Sequence, residues 1–235
     1  MTTTLIIPAA GTGTRFGAVS GEKTPKQFLD LAGKPVLSWS LAAFAGLVDE
    51  AVLAVNDDWR DALVELLAAH PQTFPVRVVT GGETRQASVH AAILAATGDV
   101  ILVHDAVRPL VSTAVICACI DALKQHPAAV VAVPCAATVK RAGTGQDSTM
   151  VAATVPRDGL YLAQTPQGFL RHAGIQAFAR AAAEHWTCSD DAQVLELAGY
   201  AVALVPGEAV NIKITTPDDL DFARAWLARP HAGSR

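Results

Sequence analysis

The chain holds 235 residues, 51% of them hydrophobic and 17% charged, with a formal net charge of −4. Such length and apolar content suffice for a sizeable core, so residues 1–235 read as a single domain rather than a disordered segment. The negative balance excludes general nucleic-acid binding, which needs many Lys and Arg against phosphate, and leaves only local anion sites. No apolar run approaches the roughly 18 residues of a membrane span, and the first strand starts too early to leave room for a signal peptide. Cys117, Cys119, Cys135 and Cys188 form no CxxC pair and have no zinc spacing. They read as free thiols in a reducing, cytoplasmic setting.

The first strand candidate, Leu5–Ile7, runs into "PAAGTGTRFG", a glycine loop with the single arginine Arg15. Backbone N–H groups in such a loop can approach a phosphate. Phe16 stands where the dinucleotide fingerprint needs glycine, and "GKP" at Gly33–Pro35 lacks the leading glycine and the Ser/Thr of a Walker A loop. Next, "TPKQF" sets Lys26 behind a proline. Strand candidates Ala51–Val55 and Val76–Val79 bracket a helical stretch, Ala62–His70. "GGETRQAS" then exposes backbone at Gly81 and Gly82 and leads through Ser88 into a helix over Ala87–Ala96. Strand Val100–Val103 ends in "VHDAVRP", with Asp105 just past the apolar run and Arg108 one turn on. His104 reads as a structural hydrogen-bonding residue.

A helical stretch, Val115–Lys124, precedes strand Val130–Val133. From Pro134 to Leu160 two Thr/Val-rich runs flank a polar turn, the pattern of a β-hairpin with no core of its own. "CSDDAQVLELAG" reads as a capped helix start, which leaves Asp190 and Asp191 structural. Strand Ala201–Val205 is followed by "NIKITTP", whose alternation puts Asn211 and Lys213 on one face and Ile212 and Ile214 on the other. Thr216 as N-cap, Pro217 behind it and Asp219 three residues on mark the last helix. Apolar strands alternating with helices imply an α/β fold with a mostly parallel sheet covered on both faces. Ligands in such sheets bind beyond the carboxyl ends of strands, where most of these segments lie.

Taken in order, "PAAGTGTRFG…TPKQF…GGETRQAS…VHDAVRP…TVPRDGLYLAQTPQGF…SDDA…NIKIT" resembles the 2-C-methyl-D-erythritol 4-phosphate cytidylyltransferases of the non-mevalonate isoprenoid pathway. The likeness spans nearly the whole chain. It implies a Rossmann-like nucleotidyltransferase with a protruding β-hairpin arm over 134–160 that joins a homodimer. It implies CTP on the backbone of Ala9, Ala10 and Gly11, with Gly82, Glu83 and Ser88 reading the cytosine edge. Arg15 and Lys26 match the family's transition-state stabilisers, and Lys213 and Arg157 the pair that holds the sugar-alcohol phosphate, Arg157 coming from the neighbouring subunit. Asp105 is implied near ribose, substrate hydroxyls and metal, and Arg108, Thr138 and Thr165 in the acceptor pocket. Magnesium is implied mainly on the phosphates of CTP. Two departures stand out: the stretch between Arg15 and Lys26 is longer than the family's and contains Lys23, and Ala137 replaces a usual acid. Ribitol 5-phosphate cytidylyltransferases share the sheet and the "HDAVRP" segment, so that acceptor is the alternative. A nucleotide-binding regulator without turnover is the alternative from another class, and the joint presence of Arg15, Lys26, Asp105 and Lys213 speaks against it.

Overall fold

The computed structural model describes residues 1–11, 24–145 and 148–229. After β1 (Thr3–Pro8) come a small pair, β2 (Asp30–Leu31) and β3 (Lys34–Pro35), and helix α1 (Val36–Ala42). Then follow β4 (Glu50–Val55), α2 (Arg60–Ala69), β5 (Val76–Thr80), α3 (Arg85–Ala95), β6 (Val100–Val103), α4 (Thr113–Ala122) and β7 (Ala128–Pro134). The second half holds β8 (Val139–Ala142), β9 (Val151–Val155), β10 (Tyr161–Leu170), α5 (Arg171–Ala183), α6 (Asp191–Leu197), β11 (Val202–Pro206) and α7 (Pro217–Leu227).

Among the described residues seven strands form one sheet in the order β11-β7-β10-β6-β1-β4-β5. β10 runs antiparallel to both its neighbours, and the other pairings are parallel. Alternation along each strand builds two cores. Leu5, Ile7, Leu53 and Leu102 pack with α1, α2 and α4 on one face. Ile6, Val52, Ile101 and Val103 pack with α3, α5 and α6 on the other. Covering both faces explains why these strands are apolar at every position. A third cluster joins Leu220 and Ala223 of α7 to Ile214, Leu31 and Val107. Helix α7 begins with the capping box read from Thr216 and Asp219.

All six expected strands and the expected helices are present; the short β2, β3 and α1 were not read, and three larger features differ from expectation. β10 was not read as a strand, because Pro166 cannot donate to a ladder and a mid-run proline argues against a strand. The pairing of β10 with β7 is irregular between Ala163 and Gln167, where Pro166 sits, and resumes on either side. Helix α5 escaped notice because its buried face is largely Ala173, Gly174, Ala177 and Ala181, with Phe178 the one large residue. The segment at Asn211–Thr215 belongs to no strand. Its alternation holds all the same, since Asn211 is buried in a polar network and Ile214 in the third cluster. Strands β8 and β9 pair antiparallel as a two-stranded ribbon outside the main sheet, and most of their residues are exposed.

Candidate active site

The chain passes from β1 to β4 and β5 on one side, then returns to place β6 on the other side of β1. This reversal opens a crevice at the carboxyl ends of β1 and β6, the place where open α/β sheets bind ligands. A cleft of about 580 Å³ lies there, lined by Ala9, Ala10, Gly11, Lys26, Gly82, Glu83, Arg85, Ser88, Asp105 and Lys213 among others. Beside it a second cleft of about 270 Å³ is lined by Arg108, Gln164, Thr165, Ser189 and Asp190. Arg85, Asp105 and Lys213 line both and form the wall between them.

One wall of the larger cleft is bare backbone held by side chains from behind. Gln27 is buried and donates to the carbonyls of Ala9 and Gly11 at 2.9 and 3.4 Å. A Cβ on Gly81 would lie 2.5 Å from the Ala10 Cβ, and one on Gly82 would lie 2.5 Å from the Ala87 Cβ. Both contacts are too short, so the loop after β1 meets the turn after β5, and that turn folds onto the start of α3, only because these positions lack side chains. Ser88 accepts from the Gly82 N–H at 3.1 Å and lies 2.9 Å from the Thr84 carbonyl, so its hydroxyl ties the glycine turn to the first turn of α3. Thr84 caps that helix.

At the seam, Asp105 is surrounded by cations. Its Oδ1 accepts from Arg85 Nε at 3.3 Å, and its Oδ2 from Arg108 Nε at 3.2 Å and Lys213 Nζ at 3.1 Å. Burial alone would raise this carboxyl, but Arg85, Lys213 and Arg108 together hold it far below the usual carboxylate range. Arg108 also donates to the Asn211 carbonyl at 2.8 Å, and Lys26 Nζ donates to the Ile214 carbonyl at 3.0 Å. The segment that carries Lys213 is thereby held between two further cations. Asn211 anchors it from below, with Nδ2 donating to the Thr165 carbonyl at 2.8 Å and to Gln164 Oε1 at 3.3 Å.

His104 fixes the turn that presents Asp105. Its Nε2 lies 3.1 Å from the Arg108 carbonyl, which can only accept, so Nε2 carries the proton. Nδ1 therefore accepts from the Thr165 hydroxyl at 2.9 Å, whose oxygen accepts the Asp105 N–H at 3.1 Å. The structural role expected of His104 holds, and the proton of Thr165 is already committed to it. Burial pushes the imidazole pKa down to about 4. The unfolded chain titrates near 6.5, so between these values the unfolded state binds more protons and stability falls with acid. The contribution of His104 is complete above about pH 6.5 and is lost as pH falls through about 4. At about 1.36 kcal/mol per pKa unit it amounts to roughly 3 kcal/mol. Urea unfolding at pH 7 and pH 4.5 should show a smaller acid loss for His104→Gln than for the unmodified chain; equal losses would refute the assignment.

The structure brings together Ala9, Ala10, Gly11, Lys26, Gly82, Glu83, Ser88, Asp105, Arg108, Thr165 and Lys213 around the two clefts. It does not bring in Thr138 and Arg157. Both are exposed, at the base and return of the ribbon, and neither lines these clefts; Arg157 instead donates to the Ala136 carbonyl. Arg15 and Lys23 lie outside the described residues. Sequence reading passed over Arg85, Gln27 and Gln164, which hold the site from behind, and gave Asn211 only its place on the face of Lys213. Their one legible signal was proximity to motif residues.

Residues 3–229 match the family model described as 2-C-methyl-D-erythritol 4-phosphate cytidylyltransferase. A relative of that name from Deinococcus radiodurans is 45% identical over 231 residues, covering 98% of this chain and 92% of its own. The solved 2-C-methyl-D-erythritol 4-phosphate cytidylyltransferase from Thermus thermophilus superposes with a TM-score of 0.77 at 36% identity, covering 96% of this chain and 98% of its own. The 4-diphosphocytidyl-2C-methyl-D-erythritol synthase from Anaerococcus prevotii gives a TM-score of 0.81 at 30% identity, over 97% and 99% of the two chains. Likeness of this degree from the first strand to the last helix makes the chain a member of the 2-C-methyl-D-erythritol 4-phosphate cytidylyltransferase family of nucleotidyltransferases.

Proposed function

We infer that the chain transfers CMP from CTP to 2-C-methyl-D-erythritol 4-phosphate, giving 4-diphosphocytidyl-2-C-methyl-D-erythritol and pyrophosphate in isoprenoid precursor synthesis. The observation that carries this reading is the shared wall: Asp105, Arg85 and Lys213 stand between a nucleotide-sized cleft and a smaller second one. Two anions bound on either side would meet there. A phosphate oxygen of the acceptor forms the new bond to the α-phosphorus of CTP as the bond to pyrophosphate breaks. A phosphate monoester is already ionised near neutral pH, so no strong base is required. The work of the protein is to hold mutually repelling groups in line and to offset their charge.

In this reading Ala9–Gly11 and Gly82–Glu83 hold the nucleotide, and Ser88 shapes its pocket. Arg15 and Lys26 stabilise the transition state. Lys213, Arg108 and Thr165 receive the acceptor phosphate and hydroxyls. Thr138 and Arg157 join them from the 134–160 arm of a second copy, and their exposed position away from their own chain's clefts supports that arrangement. The whole chain acts as one catalytic unit in a cytoplasmic homodimer. Four free cysteines suit a reducing compartment, and no helix is long and apolar enough to cross a membrane among the described residues.

A divalent cation, magnesium in this reading, fits the site only in part. Among the described residues no group of three or more His, Cys, Asp and Glu side chains is assembled to hold a metal. Asp105 is the buried acid at the seam, and both its oxygens already face cations. Most ligands would come from triphosphate oxygens, with Asp105 alongside. When bound, the ion offsets charge on the reacting phosphates. The test is pyrophosphate release from CTP with purified protein across a panel of sugar-alcohol phosphates. Release with 2-C-methyl-D-erythritol 4-phosphate is expected. Faster release with ribitol 5-phosphate would transfer the assignment to that acceptor, and CTP binding without release would favour a non-catalytic role.

A further inference from the structure

Arg85 belongs to neither of the groups expected at the site, yet among the described residues it makes more ion pairs there than any residue except Asp105. Each of its three guanidinium nitrogens faces a carboxylate oxygen. Nε meets Asp105 Oδ1 at 3.3 Å, and the two terminal nitrogens fork onto Asp191 at 3.0 and 2.8 Å. Asp191 is 1% exposed and stands in the first turn of α6, more than a hundred residues away in sequence. Its neighbour Asp190 is the cap, accepting from the Gln193 N–H at 2.9 Å, so Asp191 is free for this second task. Gln86 fastens α3 to the loop that leads into α6, donating to the Trp186 carbonyl at 3.1 Å and accepting the Cys188 N–H at 3.1 Å.

The three cations around Asp105 therefore differ in what they can do. Lys213 offers one point charge on a flexible stem, and its side chain is 38% exposed toward the clefts. Arg108 is tied to the Lys213 segment through the Asn211 carbonyl. Of the three, Arg85 is the one clamped from behind by a buried, bidentate carboxylate, a geometry that fixes its plane. When an anion enters, Lys213 can turn to it, whereas Arg85 is committed. A buried carboxylate that lost its partners would be costly, so one of them must stay.

We propose that Arg85, clamped by Asp191, is a positioning residue that keeps the Asp105 carboxylate in place while Lys213 leaves it for a substrate phosphate. This rests on the cytidylyl-transfer reading above. The test compares steady-state kinetics and melting of the dimer for Asp191→Asn and Arg85→Lys, which removes the fork and keeps the charge. Each should lower kcat by about 10–100-fold, the scale on which a small misplacement of a reacting group is felt, with little change in KM for CTP. Asp191→Glu, which restores a carboxylate, should recover part of that loss. Since Asp191 acts through Arg85, the double variant should be no slower than Arg85→Lys alone. Unchanged kcat in a folded Arg85→Lys, or losses that multiply in the double variant, would overturn the proposal. Should Asp191→Asn fail to fold, Arg85→Lys carries the comparison. No turnover by the unmodified chain would instead refute the assigned reaction, so the two failures are distinguishable.

Discussion

Lys213→Ala is expected to lower kcat/KM for pyrophosphate release by about 10²–10³, the range measured when one preorganised donor is removed from a developing oxyanion. The ammonium stands on the wall shared by both clefts, 3.1 Å from a buried carboxylate that aims it. Alanine leaves the flanking anchors untouched, because Arg108 holds the Asn211 carbonyl and Ile214 N–H bonds to the Val107 carbonyl at 2.9 Å. The side chain is partly exposed, so the melting temperature should change little while the rate collapses. The loss should fall on kcat as well as on the acceptor KM if the lysine meets charge that develops in the reaction. A folded Lys213→Ala protein turning over at near the unmodified rate would remove the lysine from the mechanism.

Arg157→Ala should also abolish most activity, and its loss should be reversible by mixing. Arg157 lies on the exposed ribbon return and lines neither cleft of its own chain. If a site takes Lys213 from one copy and Arg157 from the other, a mixed dimer of Arg157→Ala and Lys213→Ala chains has one whole site and one doubly defective site. With free exchange of equal amounts, half the dimers are mixed, so about a quarter of the unmodified activity should return. Gel filtration of the mixture checks that exchange has occurred. Exchange without recovered activity would show that each chain builds its site alone.

Where cues were local, the fold was legible. Period and capping identified the strands of the parallel half of the sheet and the start of α7, because Thr216, Pro217 and Asp219 act within four residues of one another. β10 was hidden by Pro166, and α5 by a buried face made largely of alanine. At the site, glycine spacing and the strand-end rule pointed to the loop after β1, the turn at Gly81 and Gly82 and the strand end at Asp105, and the family resemblance singled out Ala9–Gly11 within that loop. What no local pattern could reveal was the support behind them. Gln27 reaches back to Ala9, Gln164 reaches forward to Glu208, and Arg85 crosses to Asp191. Such partners are chosen by three-dimensional packing. The adjacent pair Asp190–Asp191 makes the point: one serves its own helix as a cap, a role read from sequence, and the other serves a distant arginine.

The stretch bearing Lys213 belongs to no helix or strand, and its position depends on the side-chain amides of Gln164 and Asn211 together with two neighbouring cations. Apart from Ile214, which ties it to the third cluster, its address is thus kept by polar side chains rather than by the sheet that determines whether the polypeptide assembles at all. Sequence drift could shift the lysine by an ångström and leave the molecule well folded by every spectroscopic criterion. In collections of variants from this family, sound folding and competent chemistry are then two separable inheritances.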